Sequence, residues 1–371
     1  MLSVFAAEVV LAHVHYFTCR HNYLPALHSE LGRCGFTVIT SPCEGLARVE
    51  SDDTEPSMMD PTYALQYLPY AHEVSGSSIK QLASAALGAL DADALQCLEG
   101  LPRGALRIHT VVPDLLRGVP AGKAKLLRRC DGIADLVSEG LRKRFPAARK
   151  RSETARHDAS ADDEPSAVLQ LVLLEPERLV VSLATSAPPA NGLGYWPARM
   201  RAGLTETTVD GDMPSSAYRK LLEAFAYVGG PEAGSTCVDL GACPGGWTAA
   251  LRRRGCSVTA VDRSPLDPTL MADPDVTFCQ GDAFTFTPDS PVAWAVSDVI
   301  AFPERCIELL ERWCGSGWAD RMVFTMKFTG DAPDFDAIDA AAEVARGHDY
   351  QFRSKHFFAN KNEVTLMLSR N

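Results

Sequence analysis

The chain is expected to be an α/β protein with a mostly parallel, doubly wound sheet in its C-terminal half and an α+β domain before it. Three observations carry this expectation. After residue 203, short apolar runs alternate regularly with amphipathic stretches. Before residue 190 the alternation is irregular and includes a hairpin. Between them "SAPPANGLGYWPARMRAG" (186–203) is rich in proline and glycine and reads as an interdomain connection.

In the first part, "HVHYFTC" alternates like a strand, "LPALHSELGRCG" reads as a helix stopped by a glycine, and "FTVIT" is again a strand. There follow a strand "LRIHTVV", a helix "KAKLLRRCDGIADLVSEGLRKRF" and a hairpin "VLQLVLLEPERLVVSLA". The polar stretch 149–166, almost without large apolar residues, reads as a flexible insertion in a domain spanning 1–190. In the second domain, 203–371, the strands are "TCVDL", "SVTAVD", "VTFCQ", "AWAVSD", "RMVFTMKF" and "EVTLMLS". Helical stretches such as "AYRKLLEAFAYV", "GWTAALRRRG" and "FPERCIELLERWCG" accompany them.

Composition narrows the function classes. With 371 residues and 46% hydrophobic content, two full cores can be built. A formal charge of −11 argues against indiscriminate binding to nucleic acid but leaves room for a local basic patch. The runs "GKAKLLRRC" and "LRKRFPAARKR" are candidates for such a patch, and equally for solvated faces. The 11 cysteines include no C-x-x-C pair, which fits free thiols in a reducing cytoplasm better than a disulfide framework or zinc ribbon. Glu8 interrupts the apolar N-terminus, and Glu175, Pro176 and Glu177 interrupt the hairpin, so neither a signal peptide nor a membrane span is expected.

The densest chemical signal is "VDLGACPGGW", where the strand "TCVDL" gives way to a helix. In a doubly wound sheet ligands bind beyond the carboxyl ends of the strands. Gly241 permits a tight turn, and Gly245 and Gly246 are expected to omit the β-carbons that would keep a ligand from the backbone. The spacing G-x-x-x-G-G differs from the G-x-G-x-x-G of dinucleotide enzymes, so a ligand without phosphates is the better expectation. Asp262 ends the next strand, about 20 residues beyond Gly241, where a carboxylate suits a ribose diol. Asp282 follows the third strand and could accept from an exocyclic amine. Together these features describe a Rossmann-like pocket for S-adenosylmethionine. The expected cofactor contacts are Asp239, Gly241, Ala242, Pro244, Gly245, Gly246, Trp247, Asp262, Asp282 and Asp298. Trp247 reads chiefly as a helix–sheet packing residue with only incidental ligand contact, and Cys243 as a small filler.

"VDLGACPGGWTAALRRRGCSVTAVDRSPLD" resembles the cofactor motif of FtsJ-like ribose 2′-O-methyltransferases. The resemblance is strongest to the RlmM type, which methylates a cytidine ribose in bacterial large-subunit ribosomal RNA. It extends through "SSAYRKLLEAF", "VAWAVSDVIAFPERCIELLERWCGSGW", "VFTMKF" and "NEVTLMLSR", covering nearly all of 212–371. The resemblance implies a lysine–aspartate–lysine–glutamate tetrad, matched by Lys220, Asp298, Lys327 and Glu363. It also implies a ferredoxin-like and THUMP-like RNA-binding region in 1–190, and RNA as partner.

A ribose hydroxyl is a poor nucleophile, so the chemistry needs alignment and removal of a proton. Lys327 is the expected base, its pKa lowered by Lys220 and by desolvation, with Asp298 and Glu363 as orienting acids. Taken alone, Lys220 would be a solvated lysine on an amphipathic helix. A metal is not expected: His13, His15, Cys19 and His21 would share a strand face, but nothing completes a site. Other chemistries lack their residues: "SDVIAFP" carries neither the Asn/Asp-Pro-Pro-aromatic motif of base-amine methylation nor the cysteine of cytosine C5 methylation. The alternatives are a non-catalytic RNA-binding protein that retains the cofactor fold, and a ribose methyltransferase acting on another RNA such as tRNA.

Overall fold

The computed structural model describes residues 13–51, 60–101, 105–113, 121–145, 167–185, 210–330 and 332–371. The chain divides into two compact units, Met1–Leu204 and Thr205–Asn371. The insertion read at 149–166 and the connection at 186–203 lie outside the described residues.

Among its described residues the first unit holds two four-stranded sheets. Strands β1 (His13–Thr18), β2 (Thr37–Cys43), β3 (Leu46–Ser51) and β4 (Gln66–Leu68) form an antiparallel sheet in the order β2-β3-β1-β4, with helix α1 (Leu24–Arg33) joining β1 to β2. The second sheet orders β5 (His72–Ser75), β8 (Arg178–Thr185), β7 (Ala167–Glu175) and β6 (Leu106–Val111) as β5-β8-β7-β6. Helices α2 (Ile79–Gly88), α3 (Ala92–Gly100) and α4 (Ala121–Arg144) accompany it. Ser78 and Asp91 cap α2 and α3 by accepting from Gln81 N and Ala94 N, which satisfies amides the helices leave open. The expected hairpin is β7–β8, with Pro176 and Glu177 as its turn. The parallel pair β6–β7 is bridged through α4, whose Ile133, Ala134 and Val137 pack in one core with Leu169 and Leu171.

The proposed histidine–cysteine face of β1 is not formed as drawn. The strand ends at Thr18, so alternation does not place Cys19 and His21 beside His13 and His15. His15 is buried and lies against Tyr67 and Tyr70, with Nδ1 within 2.9 Å of the Tyr67 hydroxyl. Burial, with His13 beside it, pulls its pKa down to about 4. Among the described residues, no group of three or more His, Cys, Asp and Glu side chains is placed to hold a metal ion. No helix among them is long and apolar enough to cross a membrane.

The second unit begins with helix α5 (Tyr218–Val228) and is built on a seven-stranded sheet. In chain order come β9 (Thr236–Leu240), α6 (Gly246–Arg253), β10 (Ser257–Asp262), α7 (Pro268–Met271), β11 (Val276–Gln280) and β12 (Val292–Ser297). They are followed by α8 (Pro303–Ser316), β13 (Ala319–Lys327), α9 (Phe335–Gly347), β14 (Tyr350–Lys355) and β15 (Glu363–Arg370). The order is β11-β10-β9-β12-β13-β15-β14, parallel through β13 and antiparallel at β15 and β14. From β9 the chain winds outward to β11 and then returns to β12 on the other side. The carboxyl end of β9 is therefore the switch point, where a crevice opens in such sheets. Strand β14 is an edge strand that the sequence reading missed, because "YQFRSK" carries charge and little apolar alternation.

Candidate active site

The termini of five strands and one helix build the charged site and its loop. β9 delivers the glycine loop, β10 ends at Asp262, β12 leads into Asp298, and β13 ends at Lys327. Because β15 runs antiparallel to β13, its first residue, Glu363, pairs in register with Lys327 at the same sheet edge. Helix α5 brings Lys220, which is only 6% exposed, to this edge.

These four side chains interlock. Lys220 Nζ donates to both Asp298 oxygens, at 2.7 and 2.8 Å, and to Glu363 Oε1 at 2.9 Å. Lys327 Nζ donates to Asp298 Oδ1 at 2.7 Å and to Glu363 Oε2 at 2.8 Å. Each cation thus faces both anions, and the group is neutral overall. Burying charge is tolerable only when each is paired in this way. Thr325 was missed from the sequence. Its hydroxyl donates to Asp298 Oδ1 at 2.7 Å and lies 3.1 Å from Lys327 Nζ. The signal was available, since residues two apart on a strand share a face.

The electrostatics correct one expectation. Burial pulls the Lys327 pKa down, but Asp298 and then Glu363 outweigh it and leave the ammonium above the ordinary lysine value. The expected net lowering does not occur, because two carboxylates bond the Lys327 ammonium directly. Burial likewise works to raise the Glu363 carboxyl, but Lys327 and Lys220 hold it at about 2.

The glycine loop also packs closely against the protein itself. Gly241 and Gly245 have φ of 76° and 113°, so both sit where side chains are strained. A β-carbon on Gly241 would stand 3.0 Å from Val299 Cβ, one on Gly245 would run into Leu270 Cδ1, and one on Gly246 into Ser215 Oγ. Gly241 is required by its backbone angle and by Val299, and Gly245 by its backbone angle, whereas at Gly246 the Ser215 hydroxyl could turn aside. Ala242, Gly245, Gly246 and Trp247 are buried against protein, while Cys243 and Pro244 are exposed. Trp247 donates from Nε1 to Ala217 O at 2.8 Å, which ties the start of α6 to the start of α5, one turn before Lys220. Asp239 is 1% exposed and accepts from Thr248 Oγ1 at 2.7 Å; burial above all raises its pKa to about 7. It supports the loop from within rather than facing the crevice.

Asp262 both borders the crevice and shapes it. Its Oδ2 accepts from Cys243 N at 3.0 Å and its Oδ1 from Ser264 N at 2.9 Å. Asp282 accepts from Phe284 N at 2.9 Å and pairs with Arg263 at 2.6 Å, and these bonds, the Phe284 amide first, hold its pKa below the ordinary carboxylate value. Two part-exposed carboxylates at neighbouring strand ends fit a diol and an amine. The acceptor chemistry suits an adenosine, and of the expected contact residues Gly241, Pro244, Asp262, Asp282 and Asp298 are exposed or half-buried.

Residues 213–340 match the FtsJ-like methyltransferase family model, a segment holding Lys220, Asp298 and Lys327 but not Glu363. The chain is 36% identical over 183 residues to the ribosomal RNA large subunit methyltransferase M of Shewanella woodyi, covering 46% of this chain and 51% of that one. It is 34% identical over 219 residues to the protein of the same name from Laribacter hongkongensis, covering 56% and 60%. The chain spans between 51% and 60% of the length of these two relatives. Among solved structures, TrmN from Thermus thermophilus aligns over 97% of this chain and 100% of that one, with 14% identity and a TM-score of 0.35, too low to bear on function. The resemblance to FtsJ-like methyltransferases read from the motifs thus holds across the segment that carries the glycine loop and three of the four interlocked charges.

Proposed function

We propose that this chain is a ribose 2′-O-methyltransferase, transferring a methyl group from S-adenosylmethionine to RNA, with a cytidine of large-subunit ribosomal RNA as target. The observation that carries this reading is the neutral cluster of Lys220, Asp298, Lys327 and Glu363 at the switch-point edge, next to the glycine loop. The name of the relatives supports the choice of RNA. Localisation in the cytoplasm follows from the same reading.

When bound, S-adenosylmethionine supplies an activated methyl group on a sulfonium. The residues that would hold it are Gly241, Cys243 and Pro244 of the loop, with Asp262 for the ribose diol and Asp282 for the adenine amine. Lys327 would meet the 2′-hydroxyl, with Lys220 fixing Asp298 and Glu363 around it. In the free protein Lys327 is charged, so it orients the hydroxyl as a donor, and must first lose its own proton to accept one. The first unit, with its basic last turn of α4 (Arg142, Lys143 and Arg144), would take the RNA as a THUMP-like domain does.

The test is transfer from labelled S-adenosylmethionine to a panel of unmodified ribosomal and transfer RNAs, with the product nucleoside identified by mass. A 2′-O-methylated cytidine in large-subunit RNA is expected. Label on a base, or on transfer RNA alone, would redirect the reading, and RNA binding without transfer would leave a non-catalytic binder.

A further inference from the structure

Ile300 and Phe302 are the most exposed large apolar side chains among the described residues, at 89% and 64%. They stand two and four residues beyond Asp298, in the segment that joins β12 to α8. The segment is anchored at both ends. Val299 packs against Gly241 of the glycine loop, and Val299 N lies 3.4 Å from Ser297 Oγ, which itself donates to Leu240 O at 2.9 Å. At the other end, Phe302 O accepts from Arg305 N and Cys306 N, at 3.0 and 3.2 Å, with Pro303 opening the helix.

Phe302 occupies the N-cap of α8 and makes no side-chain cap bond, a position where Ser, Thr, Asp or Asn would satisfy an open amide. The sequence therefore forgoes a cap and leaves an aromatic ring in water at a place where the backbone is fixed. Neither feature helps the fold. A solvent-facing aromatic on an anchored backbone, next to the residue that binds both lysines, is what an unstacked base requires.

Resting on the function proposed above, we propose that Phe302, flanked by Ile300, is the platform on which the base of the nucleotide to be methylated stacks, while its ribose 2′-hydroxyl meets Lys327. Phe302 is thus a positioning residue that acts through the RNA. A stacked base requires single-stranded or unpaired RNA at the target, so the site accepts a loop or bulge and rejects a paired nucleotide.

The experiment uses the full chain with unmodified large-subunit ribosomal RNA. In Phe302→Ala the KM for RNA should rise about 5- to 150-fold, the range of a lost base–aromatic stack, with cofactor affinity by calorimetry unchanged. Phe302→Trp should restore binding and Phe302→Leu should not. Ultraviolet irradiation of the wild-type complex should attach RNA to the peptide carrying Ile300 and Phe302. Normal RNA KM in the alanine variant, or rescue by leucine as complete as by tryptophan, would overturn the stacking role. Cross-links that avoid this peptide while transfer proceeds would overturn it as well. If the wild-type chain cross-links through this peptide but transfers no methyl group, the proposed function fails and the base-stacking surface stands. If it neither cross-links there nor transfers, both fail.

Discussion

Lys327 is held by two carboxylates and a threonine hydroxyl, and that company sets what it can do. As a base with a pKa above its ordinary value, it is neutral in a small fraction of molecules near neutrality, and that fraction grows tenfold per pH unit. Single-turnover transfer with saturating cofactor and RNA should therefore keep rising from pH 7 to pH 10. Lys327→Arg should fall about 10²–10⁴-fold, since arginine keeps the charge but cannot give up its proton. A near-normal rate in the arginine variant would restrict Lys327 to positioning. Glu363 gives a matching stability test. Its folded pKa, about 2, lies below 4.5, so its contribution is present above pH 4.5 and lost as pH falls toward 2. By that shift the contribution is about 3 kcal/mol at neutral pH. Glu363→Gln should lower the melting temperature at pH 7, with the gap to wild type closing as pH drops from 4.5 toward 2. A gap that stays constant across that window would mean the carboxylate charge is not what holds the lysines.

At the scale of elements, the glycine loop and the strand end that faces it act as one piece. Asp262 anchors Cys243 N and Ser264 N, and Asp239 anchors Thr248 of α6 from below. Asp262→Ala should remove the acceptor for a ribose diol and also release two backbone amides. Hydrogen bonds to a charged group are worth about 1.5–3 kcal/mol each, so calorimetry should show cofactor binding weakened by tenfold or more. The melting temperature should drop too, which a purely ligand-facing carboxylate would not cause. Unchanged affinity in a folded variant would remove Asp262 from the pocket.

For the whole molecule, the motifs that bear on the cofactor lie in Thr205–Asn371, whereas the basic runs "GKAKLLRRC" and "LRKRFPAARKR" lie in Met1–Leu204. The second unit has its own sheet and its own cores, on Trp294, Val296 and Leu251 and on Ala242, Ala260 and Leu266. A fragment starting at Gly203 should fold, bind S-adenosylmethionine with the affinity of the full chain, and lose most affinity for RNA. Cofactor binding that disappears in a folded fragment, or RNA affinity that survives intact, would contradict this division of labour.

The sequence by itself determined the alternation of strands and helices after residue 203 and the switch-point loop, because periodicity and chain order are local properties. Lys220, Asp298, Lys327 and Glu363 came instead from the resemblance to the tetrad of FtsJ-like ribose methyltransferases. The reading of local pattern also found α1, α4 and the β7–β8 hairpin, whose turn residues announce themselves. Strand β14 escaped it because an edge strand needs little apolar alternation. Thr325 shares a strand face with Lys327, but only the fold brings Asp298 against its hydroxyl. The tertiary structure alone decided that β15 runs antiparallel, which is what sets Glu363 opposite Lys327. It also decided the sign of the Lys327 shift and which protein groups lie against the glycines. Both depend on distances between groups far apart in the chain, such as Lys220 and Glu363, or Gly246 and Ser215. Charge and composition name the groups that can interact, and only the fold says which of them are close enough for one to outweigh another.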